Sequence, residues 1–208
     1  MTTLSAPAVD LSVLDGVIRL PEAHASGGVL AGRKAGETER TRLKQALKSY
    51  GSESTLGVDV RSARFMNFSF ADECFGVLMQ ELYGGEAKDR YVVFIVSPDE
   101  QEDILEEIQV SLERKKLAMF YADNEEGVGE LSIIGELPDY LVHTLESIQP
   151  GDTNETLAER LNIKLTTCSN RTDRLARLRL LRKKRRHGDL GYKQFEFFPV
   201  LPSTEVGL

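Results

Sequence analysis

The sequence predicts an α/β fold with a mixed sheet, followed by a smaller helical module that ends in a two-stranded ribbon. Three observations predict it. From residue 15 to residue 135, short apolar runs alternate with amphipathic helical stretches, the pattern of an α/β layer. At Leu137 the pattern changes to three helical stretches and then two alternating strands. Residues 164–187 carry ten Lys or Arg against one acid, Asp173, a net +9 in a chain of formal charge −7, so the remainder carries −16. A split of that size argues for one surface that meets a polyanion and a larger body that does not. The boundary is expected near Glu136, which gives units 1–136 and 137–208.

Residues 1–32 are weakly patterned: Asp15–Leu20 reads as a turn and short strand, and His24–Gly32 as a glycine-rich loop. Leu43, Ala46, Leu47 and Tyr50 fall at i, i+3, i+4, i+7 and predict a helix over 37–50. Thr55–Val60 is a buried-strand candidate. The stretch from Ser69 to Gly84 then reads as a helix, with Ser69 as its N-cap, Asp72 at the capping-box position and Gly84–Gly85 as its stop. Arg90–Ser97 (RYVVFIVS) is apolar on both faces, as in a strand covered on both sides. Pro98 and Asp99 open a helix to about Lys116. Leu117–Ala122 and Glu130–Gly135 read as strands joined by the turn Asp123–Gly129.

Composition narrows the function classes. No apolar stretch approaches the roughly 20 residues of a membrane span, and the N-terminal residues lack a basic leader, so the cytoplasm is the expected location. Cys74 and Cys168 are expected as free thiols. His24, His143 and His187 are scattered, so no zinc site is expected. Gly32–Gly36 (GRKAG) lacks the G-K-[ST] ending of a phosphate loop, and no cofactor is implied. Asp72 and Glu73 have no nucleophile or histidine nearby in sequence and read as first-turn helix charges. A non-enzymatic protein is expected.

In the C-terminal module, Thr153 caps a short helix to Ile163 with Leu157, Ala158 and Leu161 on its buried side. A turn at 162–165 leads to a helix over 166–178 with Cys168, Leu175 and Leu178 inward. Leu180–Arg182 and Tyr192–Pro199 alternate as strands around a turn at 187–191. This order is that of a winged helix-turn-helix. The phrase T-x-E-T-L-A-E-R-L-N-I followed by R-L-x-x-L-x-L-L resembles bacterial winged-helix regulators over about 137–201. Thr167, Ser169, Asn170, Arg171, Arg174 and Arg177 are then the candidates for phosphates and base edges on the recognition helix. Arg182, Lys183, Lys184, Arg185 and Arg186 would follow the backbone or enter a minor groove from the wing. The alternatives to DNA binding are a packing or dimerisation unit that serves protein contacts, with the basic run as a solvated turn, and RNA binding.

In the N-terminal unit, Val58 to Gly76 (VDVRSARFMNFSFADECFG) resembles the STAS-like domain family, whose characteristic element is a strand, a short loop and S-F-A-D-E opening a helix. The likeness covers about 15–122 and implies a mixed sheet with helices. That family is itself similar to anti-sigma-factor antagonists, in which a serine at this place is phosphorylated by a partner kinase. The resemblance aligns Ser69 with that serine, with Asn67 and Asp72 beside it, although Asn67, Phe68 and Phe70 replace the acid, first serine and glycine of the motif. Ser69 therefore has two readings, helix cap and phosphate acceptor. The sequence thus predicts a DNA-binding regulator whose STAS-like domain receives a protein partner or signal. The alternative is a protein-interaction component of a partner-switching or defence-type operon, with a kinase-like or effector partner encoded alongside. A homodimer fits either, though no heptad pattern specifies one.

Overall fold

The computed structural model describes residues 2–3, 9–20, 26–123, 127–187 and 193–202. The sequence-predicted turn at 188–191, and parts of the His24–Gly32 loop and the Asp123–Gly129 turn, lie outside them. The strands are β1 (Thr2–Thr3), β2 (Val9–Asp10), β3 (Gly16–Arg19), β4 (Val29–Leu30), β5 (Thr55–Asp59), β6 (Phe65–Met66), β7 (Tyr91–Ile95), β8 (Ala118–Ala122), β9 (Val128–Gly129), β10 (Leu131–Gly135), β11 (Leu181–His187) and β12 (Lys193–Pro199). The helices are α1 (Arg33–Ser49), α2 (Phe68–Ala71), α3 (Val77–Tyr83), α4 (Glu102–Arg114), α5 (Asp139–Glu146), α6 (Asn154–Leu161) and α7 (Leu165–Arg177). Six strands form one mixed sheet in the order β1-β10-β8-β7-β5-β3. Strands β3, β5, β7 and β8 run parallel, and β10 and β1 run antiparallel.

Strands β3, β5 and β7 are each followed by a helical segment and then by their own neighbour in the sheet, whereas β8 turns back into antiparallel β10. Right-handed crossovers of that kind put the crossover helices α1–α4 on one face, and α1 and α4 both pack on the turn 72–76. Side chains alternate across the pleat. Phe94 points to the helices and meets Phe75 edge-on, with ring centroids 4.5 Å apart. Tyr91, Val93 and Ile95 point the other way, level with Thr55, Gly57 and Asp59. There Leu14 covers the sheet: a Cβ on Gly57 would lie 3.1 Å from its Cδ1. Both faces of β7 are buried, which explains its unbroken apolar run. Full burial of a side chain such as Phe75 contributes about 2 kcal/mol.

Between α2 and α3, residues Asp72–Gly76 form a π-turn within one continuous helical segment. A Cβ on Gly76 would fall 2.2 Å from Ser111 Oγ, so only glycine lets α4 approach this closely. Two element starts differ from expectation. Helix α1 begins at Arg33, four residues before Glu37. Helix α4 begins at Glu102, not Pro98. Buried Gln101 holds residues 97–101 as a turn: its Oε1 accepts from Ser97 N at 3.0 Å, and its Nε2 donates to Val60 O and Ala63 O, both at 2.8 Å.

After residue 136 come α5, α6, α7 and the β11–β12 ribbon. The helices and β12 lie close to the expected bounds, but β11 runs on to His187, five residues beyond the expected end at Arg182, because Lys183–His187 pair with Lys193–Phe197. Leu141, Leu157, Cys168, Leu175, Leu178 and Phe197 form their core. Thr153 caps α6 in a capping box with Thr156, and Asn162 ends it in the left-handed region at φ 51°. The turn between α5 and α6 is pinned to β12 by Phe197 N donating to Asp152 O at 2.8 Å.

Candidate nucleic-acid interface

Helix α7 turns Cys168, Thr172 and Leu175 to the core. Thr166, Asn170, Asp173 and Arg177 lie opposite and are exposed, while Thr167, Ser169, Arg171 and Arg174 are half-buried on the flanks. Helical spacing places them so, at 100° per residue from the buried stripe. The arginines on one flank are positioned by α5. Arg171 Nη1 donates to Thr144 Oγ1 at 3.2 Å, its guanidinium stands 5.2 Å from the Tyr140 ring centroid, and Arg174 Nη1 donates to Tyr140 Oη at 3.1 Å. Tyr140, Leu141, Thr167, Asn170, Arg171 and Arg174 line a shallow depression of about 380 Å³. These fixed cations and the exposed Asn170 amide form a polar surface that can donate to phosphate oxygens or base edges.

The ribbon carries the densest charge, and the structure divides it. Lys183 lies on the α7 side, where its Nζ pairs with Asp173 at 2.6 Å and sits 4.1 Å from the Phe195 ring centroid. Arg182 and Lys184 face the α/β region. Arg182 donates to Glu53 O, to Thr55 Oγ1 at 2.6 Å and to Val200 O, and stacks 4.6 Å over the Tyr91 ring. Lys184 Nζ pairs with Glu53 at 3.0 Å. Arg185 is exposed, and Arg186 is placed on the strand opposite Gln194. The expectation that Arg182 lies free along a polyanion is therefore corrected: its guanidinium is occupied by the chain's own carbonyls and a ring. At the other end of the basic segment, the Arg177 guanidinium lies 4.1 Å from the Tyr83 ring centroid of α3.

Arg179, Glu53 and Tyr91 belong to this junction and were not sequence-predicted. Arg179 is 9% exposed, adopts φ 61°, and its Nη2 donates to Leu82 O at 2.9 Å and Glu86 O at 3.1 Å. Burial lowers its pKa. Burial, and then the charge of Glu53, push the Tyr91 phenol up to about 12. The signal for Arg179 was its place as a lone charge among Leu178, Leu180 and Leu181.

The second candidate set is resolved differently. Asn67, not Ser69, caps α2: its Oδ1 accepts from Phe70 N at 3.0 Å and from Gly32 N at 3.2 Å. The expected Ser69 cap is thus corrected; Ser69 is the second residue of the helix and half-buried. Nor does Asp72 complete a capping box. It accepts from Ser111 Oγ at 2.9 Å and pairs with Lys115. Burial raises its pKa, but the hydrogen bonds from Lys115 and Ser111 outweigh that and the net shift is downward. Glu73 turns instead to Arg33 at 3.2 Å and Arg40 at 2.9 Å. The two acids are thus committed to opposite neighbours. Among the described residues, no group of His, Cys, Asp and Glu could hold a metal ion, and no helix is long and apolar enough to cross a membrane. Cys74 and Cys168 are free and buried, and burial pushes both thiols upward in pKa.

Comparison with protein-family models, with curated proteins and with solved structures returned no match.

Proposed function

We propose that this chain is a non-enzymatic regulator in which an α/β domain similar to the STAS-like family is coupled to a DNA-binding winged helix. The observation that carries the reading is the basic surface formed by the outer side of α7 with the β11–β12 ribbon. Three helices, a short turn before the third, and a ribbon tied back to the α5–α6 turn through Asp152 and Phe197 support the winged-helix reading. In that reading Asn170 and Arg174 reach base edges, while Arg185 and Arg186 neutralise phosphates.

The test is salt-dependent binding of genomic duplex fragments, the protein's own promoter among them, by the full chain. Joint replacement of Arg185 and Arg186 by Ala is expected to weaken binding to all sequences and to lower the log–log salt slope by about 1–2. Asn170→Ala is expected to change sequence preference. Absence of salt-sensitive binding at micromolar protein would overturn the reading. The occupied state of Arg182 and Lys184 favours one second reading, an assembly module in which the basic ribbon serves contacts between protein regions. Co-purification of a partner protein without nucleic acid would then be the expected result.

A further inference from the structure

A cleft of about 650 Å³ separates β11 and the C-terminal end of α7 from the Glu53 turn and the segment leading into β7. Six Lys and Arg side chains line it, against two acids, Glu53 and Asp89. Lys183 and Lys184 have carboxylate partners in Asp173 and Glu53. Among the described residues, Lys88, Arg177, Arg179 and Arg185 have none. Arg179 states the problem most sharply. Among the described residues this buried cation is bonded to main-chain carbonyls, its Nε has no hydrogen-bond partner, and the charge of Asp89 reaches it without an ion pair. A buried charge without a counter-ion is strongly unfavourable. Three of the lining residues also sit in the left-handed region that side chains rarely adopt: Glu53 at φ 73°, Asp89 at φ 55° and Arg179 at φ 61°. Backbone strain of this kind gathers at ligand sites.

We infer that this cleft binds a small polyanion of nucleotide size, carrying phosphate or carboxylate groups, between the α/β region and the basic module. The volume lies within the range of small-molecule pockets. A duplex, whose major groove alone is about 12 Å wide, does not fit a space of that size. The Tyr91 and Phe195 side chains add an apolar wall. Lys88 contributes from one region, and Arg177 and Arg185 from the other, so one bound anion bridges the two and adds a paired counter-charge beside Arg179, which Asp89 reaches only at a distance.

The experiment is isothermal titration of the full chain with ATP, inorganic pyrophosphate and citrate, each at matched ionic strength. Saturable binding of one molecule per chain is expected. The relative strength of pyrophosphate and citrate tells whether phosphate or carboxylate is the recognised group. Lys88→Glu, an exposed change confined to the α/β region, is expected to weaken that binding at least about tenfold; Arg185→Ala should weaken it as well. Lys88→Glu lies outside the proposed DNA surface and is expected to leave salt-dependent DNA binding intact, so this inference and the DNA reading fail separately. No saturable binding by any of the three probes, or binding that Lys88→Glu leaves unchanged, would overturn it.

Discussion

A single amide oxygen, Asn67 Oδ1, serves two backbone donors, Phe70 N and Gly32 N, and so joins the starts of α1 and α2. Asn67 N in turn donates to Leu30 O at 3.1 Å. Removing the oxygen takes the side-chain acceptor from both amides at a helix N-terminus, where donors are hardest to satisfy; Phe70 N keeps a 3.0 Å bond to Asn67 O, and Gly32 N loses its bond across to α2. Asn67→Ala is therefore expected to lower unfolding free energy by about 1–2 kcal/mol, measured by urea denaturation. Ser69→Ala, with no cap to lose, is expected to stay within about 0.5 kcal/mol. Equal losses in the two variants would put the cap back at Ser69. Both residues are good caps by type, so local sequence could not choose between them. The choice is made by Leu30 and Gly32, more than thirty residues earlier in the chain.

At the scale of elements, the α5–α6 turn depends on one carboxylate. Asp152 accepts from Gln149 N at 2.7 Å and from Thr156 Oγ1 at 3.2 Å, and Arg160 grips both its oxygens. Burial raises the Asp152 pKa, but the Arg160 side chain and the Gln149 amide outweigh it, and the net shift is downward. A carboxyl group with a folded pKa below its unfolded value contributes stability that is complete above the unfolded value. That contribution is lost as pH falls through the folded one. The C-terminal helices are therefore expected to lose thermal stability progressively below about pH 4. Asp152→Asn is expected to be less stable at neutral pH and to show a smaller loss on acidification. An acid profile identical to the parent chain would refute the role. Element types were largely legible beforehand, because β7 and α6 carry strong local patterns in Tyr91–Ile95 and in Thr153, Leu157 and Leu161. The π-turn at Asp72–Gly76 was not. It answers the approach of Ser111 on α4 to Gly76, a contact that no local spacing encodes.

At the scale of the whole molecule, the charge split was legible and its coupling was not. Arg182 and Arg179 bind Glu53 O, Leu82 O and Glu86 O, and a main-chain carbonyl has no residue identity for a sequence to display. The consequence is a conflict over the ribbon. In the state described, Arg182 and Lys184 are turned to the α/β region, so a polyanion gains them only if that junction loosens. Glu53 is the side chain to change, because its carboxylate holds Lys184 at 3.0 Å and lies 3.9 Å from Arg182, whose other bonds do not depend on it. Glu53→Gln keeps the shape of the turn and leaves every Lys and Arg in place. It is expected to raise affinity for duplex DNA about two- to fivefold, since one partly exposed ion pair contributes up to about 1 kcal/mol. It should also steepen the salt slope by about one, as Lys184 becomes available to a phosphate. Fluorescence anisotropy across a salt series reads both. Affinity that is unchanged or lower in Glu53→Gln would mean that the junction does not compete with DNA, and that the ribbon's inward face serves only to hold the two regions together.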